Sequence, residues 1–111
     1  SGLQQPQFAV QKHHLRKRLT VAEVEKREMV RDPLGAAPNL PFGHLNPRWV
    51  AFRDGLRRRD EIWTFQAIWK PWPWVEGEIY SGYVIVRRGK PGPHLLTIVE
   101  PEPPPAPVAA T

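Results

Sequence analysis

The sequence predicts an α+β domain: two short helices followed by a three-stranded antiparallel β-meander. Three observations lead there. A capping pattern at residue 20 and an Asn-Pro start at residue 46 open two helical segments. Residues 61–99 then carry three runs of strand-forming residues. Proline-rich stretches separate the segments and close the chain. The length, 111 residues, suits one core, and the domain is expected at 20–99.

Residues 1–19 read as a basic flexible arm. They lack periodicity, and Lys12-His13-His14-Leu15-Arg16-Lys17-Arg18 concentrates like charge that opposes compact structure. The first helix starts at Thr20, where Thr20-Val21-Ala22-Glu23 forms a capping box with Leu19 and Val24 at the staple positions. It is expected to stop before Pro33, because the residue ahead of a proline avoids helical geometry. Val21, Val24, Met29 and Val30 make no single stripe, which predicts shallow packing. Residues 33–45, with three prolines and two glycines, form a long loop pinned by Leu40, Phe42 and Leu45.

The second helix takes Asn46 as its cap and Pro47 at its first position. Trp49, Phe52 and Leu56 fall on one face, and Arg57-Arg58-Arg59 places positive charge at the C-terminal end, where the dipole favours it. In the first strand, Glu61 to Ala67, Trp63, Phe65 and Ala67 alternate with Ile62, Thr64 and Gln66. Glu78 to Arg88 and His94 to Val99 are the other two, joined by a turn at Gly89-Lys90-Pro91-Gly92-Pro93. The expected core is Trp49, Phe52, Leu56, Trp63, Phe65, Val84, Val86, Leu96 and Ile98, with one helix covering one sheet face. Residues 100–111 are a Pro-rich tail, expected extended and solvated.

Several residues carry a resemblance. They are Trp49, Phe52 and Leu56, then Asp60-Glu61-Ile62-Trp63-Thr64-Phe65, then Ser81-Gly82-Tyr83-Val84-Ile85-Val86-Arg87-Arg88-Gly89. Over 49–89 the chain resembles a family of small, uncharacterised bacterial proteins. Members usually have Gly where Arg59 stands and a Ser-Pro loop where this chain has Trp and Pro. The resemblance implies the domain layout and no known activity.

Composition excludes several function classes. Cys is absent, so disulfides, thiolate metal sites and Cys nucleophiles are ruled out. No apolar run reaches the length of a membrane span. His13, His14, His44 and His94 include no i, i+4 pair, and no metal or cofactor is expected. The acidic pairs Asp60-Glu61 and Glu76/Glu78 lack convergent geometry, and neither a nucleophile elbow nor a phosphate-cradling glycine loop is present. A non-enzyme is expected. The chain starts Ser1-Gly2, the form of a cleaved or excised fragment, so the lack of a signal peptide is uninformative. The compartment is not encoded, and a cytoplasmic one is the default expectation.

Two features could carry binding. Trp69, Lys70, Trp72 and Trp74 alternate with Pro71 and Pro73, a stiff segment rich in the commonest hot-spot residue. The competing reading closes the small core with these rings. The second feature is basic: Lys12, Arg16, Lys17 and Arg18 in the arm, and Arg57, Arg58 and Arg59 after the second helix. The net charge is +5, and Arg outnumbers Lys 11 to 5, which suits bidentate phosphate contacts but also a GC-rich genome. The first expectation is a protein-interaction or adaptor module with an unknown protein partner at the Trp/Pro segment. The alternative is a nucleic-acid-binding accessory protein. Membrane association through the short Trp/Pro segment ranks third.

Overall fold

The computed structural model describes residues 7–103. A 3-10 turn at Lys12–His14 leads into β1 (Leu15–Leu19), followed by α1 (Val21–Arg27) and, after the long loop, α2 (Asn46–Asp54). Three long strands complete the domain: β2 (Glu61–Trp69), β3 (Glu78–Arg87) and β4 (Lys90–Pro101). The sheet has four strands in the order β1-β2-β3-β4, all antiparallel to their neighbours.

The α+β class holds, but the expected three-stranded meander gains a fourth strand, β1, from the segment read as a flexible arm. Pairing overcomes the like-charge repulsion in part because Arg18 and Arg16 find partners. Arg18 lies 3.3 Å from Glu61, and the Arg16 guanidinium donates to the carbonyls of His13 and Gln66. A register shift between Leu15 and Arg18 sends Leu15 to one side of the sheet and Leu19 to the other. Residues 1–6 and 104–111, the outer parts of the expected arm and tail, lie outside the described residues.

The capping box forms: Thr20 Oγ1 accepts from the Glu23 amide at 3.2 Å, and Glu23 Oε1 accepts from the Thr20 amide at 3.0 Å. α1 ends at Arg27, well ahead of Pro33. Met29 instead bridges to Pro41, and the Phe42 amide donates to the Glu28 carbonyl at 2.8 Å. The loop beyond folds around Asp32, whose carboxylate accepts from the Leu34 and Ala37 amides, both at 2.9 Å. Asn46 is the first residue of α2 rather than its cap, and its side-chain Nδ2 donates to the Pro41 carbonyl. Trp49 Nε1 and Arg53 Nη1 both donate to Glu25 Oε2 at 2.9 Å, tying the two helices together.

The β3–β4 turn is tighter than the expected 89–93. Arg88 and Gly89 form it alone, with φ of 53° and 75°, the twist-matched pair of a two-residue hairpin. Pro91 and Pro93 therefore lie inside β4. They are tolerated because β4 is an edge strand, where an amide facing solvent is not needed for pairing.

The sheet buries both faces. α1 and α2 cover one, over Leu19, Ile62, Tyr83, Ile85 and Leu95. Residues 8–14 cross the other, where Val10 is buried with Phe65, Val84 and Val86. The expected core merged these two layers. Trp49, Phe52, Phe65, Val84 and Val86 are buried, Leu56, Trp63 and Leu96 are half-buried, and Ile98 is 50% exposed. Phe8 anchors the crossing segment: its ring centroid lies 5.0 Å from Tyr80, 5.3 Å from His94 and 5.4 Å from Trp69. At Tyr83 the hydroxyl donates to Glu28 Oε1 at 2.6 Å, joining sheet to helix. Burial first, and this bond second, raise the phenol above its ordinary pKa.

Candidate anion-binding groove

Antiparallel pairing puts the start of β2, the end of β3 and the start of β4 at one end of the sheet. Two basic turns meet there. One is Arg57-Arg58-Arg59, between α2 and β2. The other is Arg87-Arg88, running into Lys90 across the hairpin. Asp60 closes the first turn: its carboxylate accepts from the Arg57 amide at 2.8 Å, and its own amide donates to the Arg57 carbonyl at 3.0 Å. Arg59 takes a left-handed φ of 76° to let the chain reverse.

Asp60 also joins the two turns. Arg87 Nε donates to Oδ1 at 2.9 Å and Arg87 Nη2 to Oδ2 at 2.7 Å, a bidentate fork. The carboxylate side chain is only 2% exposed. The Arg87 hydrogen bond first, and the Arg57 amide second, hold the Asp60 carboxyl down at about 2, and the Arg87 guanidinium is raised in return. Asp60 and Arg87 thus cancel each other's charge. Arg57, Arg58, Arg59, Arg88 and Lys90 make no ion pair within the described residues. These five cations, with Pro91 and Gly92, line an open groove of about 800 Å³ around the neutralised pair. The arrangement can hold an anion by charge and by guanidinium forks.

The expected basic residues of the arm take a different place. Arg16, Lys17 and Arg18 are exposed along β1, the edge strand beside β2, and Lys12 stands in the preceding 3-10 turn. The Trp/Pro segment lies at the opposite end of the sheet, between β2 and β3. Its four expected contact residues divide. Trp69 packs on Phe8, and Lys70 lies 3.8 Å from Glu102. Trp72 and Trp74 stack on each other with centroids 5.4 Å apart and planes within 10°, and Trp74 is 76% exposed.

The acidic pairs show no shared site. Glu61 accepts from Trp63 Nε1 at 2.9 Å and pairs with Arg18, on a different partner set from Asp60. Glu76 and Glu78 are exposed. Among the described residues no three His, Asp or Glu side chains cluster as metal ligands would, and no helix is long and apolar enough to cross a membrane.

Sequence reasoning found Arg57, Arg58 and Arg59 and missed Arg87, Arg88 and Lys90. The available signal was a doublet of arginines at a hairpin tip, which alternation along a strand does not mark as a site. Compared with family models, curated proteins and solved structures, the chain matches none of them. The functional reading therefore rests on the geometry.

Proposed function

We propose that this protein is a non-catalytic nucleic-acid-binding accessory module that docks the phosphate backbone in the arginine groove. The observation that carries the reading is the convergence of five cations, none ion-paired among the described residues, around a salt bridge that has already neutralised the local carboxylate. A protein anion of low charge density would leave most of those cations unmatched, whereas a phosphate chain supplies charge at every step.

The test is fluorescence anisotropy with labelled oligonucleotides at low and moderate salt. With about five phosphates engaged, a single strand loses roughly 100-fold in affinity between about 50 and 200 mM salt. The variant R57A/R58A/R59A lowers the log–log salt slope by about 2. Absence of binding at low salt, or an affinity indifferent to salt, overturns the proposal. A protein-interaction module is the second reading, favoured by the exposure of Trp74 beside its stacked partner. It expects W72A/W74A to lose a protein partner while keeping its melting temperature.

A further inference from the structure

We infer that the nucleic acid is single-stranded and runs along the β1 edge, its phosphates in the arginine groove and its bases against the Trp72–Trp74 pair. This rests on the groove reading above and names the class of polymer that the groove takes.

The placement comes from the sheet. Arg57-Arg58-Arg59 feeds directly into β2, and the Trp/Pro segment leaves its far end. β1 pairs with that same strand, Leu19 opposite Ile62 and Leu15 opposite Phe65, and forms the open edge between the two ends. Its exposed middle is Arg16-Lys17-Arg18. Near the Trp end, His13 and Arg16 border a concavity of about 440 Å³ with Gln66 and Ile68. Two carboxylates lie along this edge: Glu61, paired with Arg18, and Glu23, whose carboxyl is held down by its bonds to Thr20 and, less, by nearby Lys17. Arg16 and Lys17 are the exposed cations on the edge between the groove and the aromatic end, beside the Arg18–Glu61 pair.

The aromatic end favours unpaired bases. Trp72 and Trp74 are already parallel, and the exposure of Trp74 leaves stacking surface open to solvent. Only a base with a free face can extend that stack, and a duplex hides all but its terminal faces. The loop holding the pair is tied down. Lys70 lies 3.8 Å from Glu102, and the Glu102 amide donates to the Gly77 carbonyl at 2.9 Å. Less conformational freedom is then lost on binding. β2 separates the two ends by about 27 Å at roughly 3.4 Å per residue. At about 3.4 Å per stacked nucleotide, that is a span of roughly eight nucleotides.

The experiment compares oligothymidylates of about 4 and about 12 nucleotides, lengths that bracket this span, by anisotropy and intrinsic Trp quenching on the whole protein. Expected is a gain of about tenfold or more for the longer strand, from at least one stacked base, with quenching only for that strand. W72A/W74A removes the gain and leaves short-strand binding unchanged. W74A alone, at an exposed ring, gives a partial loss and serves if the double variant fails to fold. Equal affinity for both lengths overturns the inference but spares the groove reading, provided short-strand binding stays steeply salt-dependent. So does a length gain undiminished by W74A, or equal affinity for a duplex of the longer length. No salt-dependent binding of any oligonucleotide overturns both.

Discussion

Replacing Phe8 with Ala is expected to destabilise the fold far more than a change in a flexible arm could. The ring contacts five others: Tyr80, His94 and Trp69 within 5.4 Å, Phe65 at 5.9 Å and His14 at 6.1 Å. Truncating a fully buried Phe costs about 3–5 kcal/mol. Phe8 is half-buried, so the fully buried figure scales down to about 2–3 kcal/mol. For a domain of this size, that lowers the melting temperature by roughly 10–20 °C. Circular dichroism melts give the shift, and the denaturant midpoint gives the energy. Phe8→Leu keeps most of the volume and is expected to recover about half of the loss. A second readout is His94, whose pKa burial holds below its ordinary value of 6.5. Opening the cluster lets it rise back toward that value, measurable by NMR titration. A loss under about 0.5 kcal/mol, the range of ordinary surface substitutions, together with an unmoved His94, would refute the packing of residues 8–14 on the sheet.

Two further predictions concern the Asp60–Arg87 fork and the middle of β3. The Asp60 carboxyl sits at about 2 against an ordinary 3.8, so the unfolded chain binds more protons than the folded one between those values. The stability this gives is complete above the unfolded pKa and drains as pH falls from about 4 toward about 2. Asp60→Asn should flatten urea midpoints across that window, and an unchanged pH profile would deny the Arg87 fork its role. Gly82 lies where β3 shifts register against β4, and a Cβ there would run into the Leu95 carbonyl oxygen and sit 3.1 Å from Leu96 Cα. Gly82→Ala is therefore expected to cost about 3 kcal/mol and to speed amide exchange through residues 95–98, because backbone rather than a side chain must move. Wild-type exchange in the variant would contradict this contact.

The features legible in the sequence are those held by neighbours in the chain. The Thr20–Glu23 box forms because both partners lie within one helical turn. The alternation from Ile62 to Ala67 assigns the two sheet faces correctly, since successive side chains on a strand must point opposite ways. Arg57, Arg58 and Arg59 stood out as a charge run at a helix end, and they line the groove. Tertiary structure decided the rest. β1 reads as a charged tract until β2 supplies the backbone partners and Glu61 the counter-charge, about 40 residues away in sequence. The same holds for the two-sided core, because strand periodicity separates faces but does not say what covers each. The groove itself exists only because the sheet folds Arg87 onto Asp60, 27 residues apart. That contact neutralises the Asp60 carboxylate and leaves Arg88 and Lys90 beside the arginine triplet. Local patterns fix dihedrals and caps within a few residues, whereas charges add up by distance in space, which chain separation does not encode.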